Sequence, residues 1–217
     1  VYRAFSFDLE GAEAPRTRFV SATPFVPRNG AARAERCDLI LRIQAEGLAK
    51  RMEHTHAKCA VVGIAGGLDS CLALLVAVRA CKVLGRDPKD IIAITRPRFG
   101  TTKRTRSNAE ILCEALGVSF TEINITNTVE SHFADIGQDP HTYDVTFENC
   151  QARVRTLELK DYANKNVGFV IGCGSLSELA PAWANYTADH ISMSGGTPWV
   201  THTLLGHLRP DHLSHCS

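Results

Sequence analysis

A short apolar run, CAVVGI at 59–64, opens directly into AGGLDS. Gly66 and Gly67 carry no Cβ, so successive backbone N–H groups there can turn toward one point. Asp69 and Ser70 then begin a helical stretch, whose N-terminus adds partial positive charge. Converging amides on a helix start make a seat for phosphate. The loop is neither a GxxxxGK[ST] nor a GxGxxG pattern. Taken alone, it also reads as a tight strand-to-helix connection with Asp69 as a capping acid. Further along, Asn149 and Arg153 stand four residues apart and share one helix face, while Arg155 projects elsewhere. An Arg and an Asn facing a cleft suit a carboxylate or a phosphate. Arg96, Arg98, Lys103, Arg104 and Arg106 form a basic stretch with no acid among them, facing phosphates or solvent.

The elements that must position these residues follow from periodicity. Residues 1–30 are rich in Pro, Arg, Gly and Ala without a sustained period and read as a linker or arm. From 31 to 53, Cys37, Ile40, Leu41, Gln44, Leu48 and Met52 recur at helical spacing. CAVVGI then reads as a strand buried on both faces, and residues 69–84 as a helix. DIIAIT (90–95) is a second strand, NAEILCEALG (108–117) a helix, and SFTEINI (119–125) a third strand. TNTVESHFADIG is a short helix with an Asn or Thr cap. A helix over 144–165 places Tyr143, Phe147, Cys150, Val154, Leu157 and Tyr162 on or near one face. GFVIGC (168–173) is a fourth strand. Strands alternating with helices imply right-handed crossovers and a doubly wound parallel sheet. Ligands then bind beyond the carboxyl ends of the strands, which directs attention to loops 65–70, 96–107, 126–145 and 173–190.

Composition narrows the class. The chain has 217 residues, 44% hydrophobic and 22% charged, enough for a core and too apolar for wholesale disorder. A net charge of +1 offers no global field for nucleic acid or a membrane surface. No apolar run approaches the roughly 20 residues that cross a bilayer, and the N-terminus lacks a basic-then-apolar signal pattern. The eight cysteines include no CxxC pair, and several lie in apolar runs, so they read as buried thiols in a cytoplasmic, reducing compartment. His202, His207, His212 and His215 crowd the last residues before Cys216, in a spacing that matches no recognised zinc cluster.

IAGGLDS resembles the SGGxDS pyrophosphate loop of the N-type ATP pyrophosphatases, the PP-loop superfamily. Four further segments resemble the NAD synthetase family within it, in particular the synthetase domain of the glutamine-dependent kind. They are RPRFGTTKRTRSNAEILCEALGV, FADIGQDPHTYDVTFENCQARVRT with its NxxxRxR helix, VIGCGSLSELAPAWANYTADHISM, and the entry PFVPRNGAARAERC. The resemblance spans about residues 24–193 and implies an α/β, Rossmann-like sheet of the adenine nucleotide alpha hydrolase type. A domain is expected over 31–193, after an arm at 1–30 and before an atypical His-rich tail at 194–217.

The resemblance also implies roles. Ala65, Gly66, Gly67, Leu68, Asp69, Ser70 and Cys173 match positions that bind ATP. Asp69 and Glu178 match ligands of Mg²⁺, for which hard oxygen donors are suited; read alone, Glu178 is a solvated first-turn acid. Asn149, Arg153, Trp183 and Asp189 match the deamido-NAD side, Trp183 as the aromatic that stacks on the nicotinate ring. The implied reaction amidates deamido-NAD to NAD with ATP and ammonia through an adenylated nicotinate, in a homodimer, with no protein nucleophile. The glutaminase domain that supplies ammonia, with its Glu-Lys-Cys centre, has no counterpart here, and residues 1–23 look like the linker from it. Several positions depart from the pattern, among them Pro181 and Ala182, which replace a Leu-Gly pair, and Arg96 and Arg98, unusual in their loop. Ala65 replaces a Ser, Cys173 a Thr and Ser175 an acid, which motivates the alternative of a catalytically impaired nucleotide-binding or assembly module.

Overall fold

A computed structural model describes residues 2–7, 17–96, 103–181, 185–188 and 191–207, with backbone alone for 103–107. Trp183, Asp189, Arg98, His212, His215 and Cys216 lie outside the described residues, as do the side chains of Lys103, Arg104 and Arg106.

The strands are β1 (Ala60–Gly63), β2 (Ile91–Thr95), β3 (Ser119–Glu122), β4 (Phe169–Gly172) and β5 (Ser194–Gly195). The helices are α1 (Gly30–Thr55), α2 (Leu68–Val83), α3 (Lys103–Leu116), α4 (Thr126–Ile136), α5 (Val145–Lys165), α6 (Leu176–Leu179) and α7 (His202–Leu205). All strand pairs are parallel, in the order β3-β2-β1-β4-β5. The chain steps outward from β1 to β2 to β3, then returns to the other side of β1 with β4. That reversal opens a crevice at the carboxyl ends of β1 and β4.

The three central strands β2, β1 and β4 are apolar on both faces up to Thr95 at the end of β2, because both faces are covered. Ala60 and Val62 of β1, Ala93 of β2 and Ile171 of β4 pack with Leu41, Leu48 and Met52 of α1 and Leu72, Leu74 and Val76 of α2. The alternate residues, Val61, Ile94 and Val170, pack with Leu159 and Ala163 of α5. This period-two split is what a buried parallel strand requires. Arg79 of α2 donates from Nη1 and Nη2 to Oδ1 of Asp38 on α1, both at 3.0 Å.

The helix over 144–165 forms as expected, but its apolar residues divide between two neighbours. Phe147, Cys150 and Val154 pack with Ile125, Val129 and Phe133 of the α4 region, whereas Leu159 and Ala163 meet the sheet. Leu157 falls between the two surfaces and is exposed, and Tyr143 touches Phe147 edge-on while remaining exposed. The third strand stops at Glu122, and Ile125 turns inward as the fully buried N-cap of α4. The expected Asn or Thr cap is not the N-cap: that place falls to Ile125, which has no capping side chain, and the Thr126 N–H donates instead to Asn124 Oδ1, two residues earlier, at 2.9 Å.

The segment set apart as a tail begins inside the fold. β5 extends the sheet beside β4, and Val200, Leu204 and Leu205 are buried with the α1 and α2 core. Gly196 makes this edge tight, since a Cβ there would lie 2.9 Å from Ile171 Cγ2 and 3.1 Å from the Gly172 carbonyl.

Candidate active site

β1 delivers the glycine loop to the carboxyl end of the sheet, and α2 continues from it. Gly66 has φ +74°, a conformation that costs a residue with a Cβ about 1–2 kcal/mol. A Cβ on Gly67, the N-cap of α2, would meet nothing within 4 Å, so the space over this turn is open. Ala65, Gly67 and Leu68 are exposed. The Ser70 hydroxyl faces inward instead. It donates to the Gly67 carbonyl at 3.0 Å and accepts from the Ala65 N–H at 3.4 Å. Ser70 therefore braces the loop from beneath.

Asp69, in the first turn of α2, presents both carboxylate oxygens to His202 Nε2, each at 3.1 Å. The His202 N–H in turn donates to Ser177 Oγ at 3.0 Å. Ser177 precedes Glu178 on α6, which follows β4, the strand beside β1. Glu178 Oε2 accepts from the Ser175 N–H at 2.9 Å and the Ser175 hydroxyl at 3.3 Å, closing a capping box around the start of α6. Ser175 is fully buried in that role. Cys173 is partly buried and packs against the core next to α2. Gly174, between them, has open space where a Cβ would stand.

A second group lies along α5. Asn149 is buried and its Oδ1 accepts from Asn185 Nδ2 at 2.6 Å. One turn on, the Arg153 guanidinium stacks on the Tyr186 ring, with Cζ 4.8 Å from its centroid. The shared face expected of Asn149 and Arg153 is thus used to seat residues 185 and 186. Arg153 Nε is buried and has no hydrogen-bond partner among the described residues.

Arg96, the first residue of the basic stretch, turns under the sheet. Its Nη1 donates to the Arg155 carbonyl at 2.7 Å, and its guanidinium occupies the space a Cβ on Gly63 would need. Nearby, burial pushes the Glu158 carboxyl above the ordinary carboxylate range, against the opposing pull of the Thr128 hydroxyl and Arg96. Burial likewise pushes the Cys81 and Cys113 thiols up to about 11, leaving them protonated and inert at neutral pH.

Among the described residues no group of three or more His, Cys, Asp or Glu side chains converges as a metal site. None of the described helices is long and apolar enough to cross a membrane. The donor chemistry still fits a phosphate-borne cation. Asp69 offers two hard oxygens beside the open glycine turn, Glu178 Oε1 lies outside the capping box, and Mg²⁺ takes few protein ligands when phosphates and waters complete its shell. Sequence reasoning did not assign Tyr186, Asn185, Ser177 or His202 to the site. Tyr186, three residues after Trp183, carried a faint signal; His202 stood out only as one histidine of several.

A parallel α/β sheet with a glycine loop and a first-turn acid at its switch point defines a nucleotide-binding α/β protein. The NAD synthase family model matches residues 40–189, and the chain belongs to that family. It is 43% identical to the glutamine-dependent NAD(+) synthetase of Mycobacterium leprae over 88% of this chain and 29% of that protein. With the enzyme of the same name from Mycobacterium tuberculosis, identity is 39% over 94% of this chain and 31% of that protein. The chain thus spans under a third of the length of these relatives. The NH(3)-dependent NAD(+) synthetase of Methanococcoides burtonii is 37% identical over 59% of this chain and 47% of its own length. The fold matches a glutamine-dependent NAD+ synthetase from Acinetobacter baumannii solved with adenosine diphosphate. The TM-score is 0.75 at 24% identity, over 82% of this chain and 33% of that one.

Proposed function

We propose that the chain is the synthetase portion of an NAD synthetase, converting deamido-NAD to NAD with ATP and ammonia. The observation that carries this is the open Gly66-Gly67 turn beside Asp69 at the β1–β4 crevice, in a chain of the NAD synthase family. Backbone amides of residues 65–69 hold the ATP phosphates, with α2 adding its positive end. Asp69 and Glu178 hold Mg²⁺, which when bound offsets the charge of departing pyrophosphate.

A nicotinate carboxylate oxygen attacks the α-phosphorus, the bond to the β-phosphate oxygen breaks, and pyrophosphate leaves. Ammonia then attacks the acyl carbon and AMP departs with its oxygen, giving the amide. Neither step needs a protein nucleophile, so the chain acts by positioning and by stabilising charge. Arg153 and Asn149 orient deamido-NAD through residues 185 and 186. Trp183 stacks on the nicotinate ring and Asp189 lies against the same ligand.

Ammonia comes from glutamine, on which the Mycobacterium relatives are named as dependent, by way of a glutaminase domain outside these residues, or directly from solution. We further infer a homodimer in a reducing cytoplasm. The test is incubation with ATP, Mg²⁺, deamido-NAD and ammonium: AMP and NAD should appear in equal amounts. Nucleotide binding without either product would favour the impaired module instead.

A further inference from the structure

His202 meets Asp69 in an unusual way. Its Nε2 is equidistant from both carboxylate oxygens, at 3.1 Å, on the line a cation approaching that carboxylate would take. A carboxylate only accepts, so Nε2 carries the hydrogen. The His202 side chain is 52% exposed and Asp69 22%, so the imidazole has solvent to move into. The backbone beneath it is fixed. Its N–H is held by Ser177, the Thr201 hydroxyl caps the Leu204 N–H, and Leu204 and Leu205 are anchored in the core. A ring free to swing on a fixed backbone, engaged with an acid beside an open phosphate seat, has the form of a competitor.

We propose that His202 stands in for the divalent cation on Asp69: it holds the carboxylate in the nucleotide-free chain and yields it when a cation-bound nucleotide arrives. This rests on the reading of Asp69 as the cation-side acid. The link to Ser177 gives the exchange a consequence. While the imidazole is engaged, α2 and α6, the two helices that carry Asp69 and Glu178, are joined through one residue. Its release leaves the backbone tie to α6 in place and frees Asp69 alone.

The test is calorimetric titration of the 217-residue chain with Mg²⁺·ADP, comparing wild type, His202→Ala and His202→Gln. Removing a part-exposed competing contact should tighten binding about two- to fivefold in His202→Ala. His202→Gln, which keeps a donor, should fall between that variant and wild type. Nitrogen-15 NMR of wild type gives a readout that needs no variant: the Nε2 resonance should move when Mg²⁺·ADP is added. Equal or weaker binding by His202→Ala, or an Nε2 resonance that does not move on saturation, overturns the exchange while leaving the phosphate seat intact. Failure of every form to bind Mg²⁺·ADP overturns the phosphate-seat reading and the exchange with it.

Discussion

The Arg153 guanidinium lies over the Tyr186 ring at 4.8 Å, one turn beyond the Asn149–Asn185 hydrogen bond. Helix α5 thereby holds two consecutive residues, Asn185 and Tyr186, from two of its own positions a single helical turn apart. Stacking uses the planar face of Arg, which Lys cannot reproduce. Arg153→Lys should therefore raise the KM for deamido-NAD about two- to fivefold, the loss of one cation–π contact on an exposed ring together with its orientation. The KM for ATP should change little. Steady-state kinetics with each substrate varied in turn checks the split.

The glycine loop gives a sharper prediction. Gly66→Ala forces a Cβ into the left-handed region and should cost about 1–2 kcal/mol of stability. Because the same change turns the amides away, Mg²⁺·ADP affinity should fall by more than the stability loss accounts for. Gly67 differs: its Cβ direction is open, so Gly67→Ala should fold normally and interfere only with nucleotide. Urea denaturation beside calorimetry separates the two effects.

Much of this arrangement was legible in the sequence. β1 and β4 are wholly apolar runs, and β2 is one up to Thr95, because both faces are covered, and a run such as AVVG has few other readings. A doubly wound sheet was expected, but its strand order β3-β2-β1-β4-β5 was not legible, since that order is set by packing between distant segments. Nor was the role of residues 194–205. SGGTPWVTHTLL has no period; it joins the fold by edge pairing at Ser194 and Gly195 and by three isolated apolar anchors. His202 reaches Asp69 across 133 positions, and a lone histidine carries no spacing signal for such a contact. Ser175, at a position where the family pattern has an acid, proved to be the buried N-cap that orients Glu178.

Those anchors can be weighed. Leu204 is buried against α1 and α2, so Leu204→Ala should destabilise the chain by about 2–4 kcal/mol, as for other buried leucines. Loss of α7 packing should also loosen the His202–Asp69 contact. The check is the urea midpoint of the variant against wild type; a change below about 0.5 kcal/mol would place residues 194–205 outside the cooperative core.

Glu158 sets a pH dependence of stability unrelated to catalysis. Its folded carboxyl titrates above its unfolded value of about 4.3 because burial disfavours the charge. Between the two values the folded chain holds a proton that the unfolded chain has released. Its contribution to stability is therefore full below the unfolded value and is lost as pH rises through the folded one. Glu158→Gln has no such proton. Wild type should lose stability relative to Glu158→Gln as pH rises from the unfolded carboxyl's range through the folded one, then run parallel above. Urea midpoints across that series test it, and parallel curves throughout would show that the carboxyl is not shifted.

In the proposed function the β1–α2 turn grips the phosphates of ATP while Asp69 faces the cation. The most direct measurement is exchange of labelled pyrophosphate into ATP, which reports reversible adenylation without any ammonia. Exchange should require Mg²⁺ and deamido-NAD and should fall at least a hundredfold in Asp69→Asn, a loss of about 2.7 kcal/mol or more of transition-state stabilisation. No exchange in wild type, or exchange undiminished by Asp69→Asn, would contradict it.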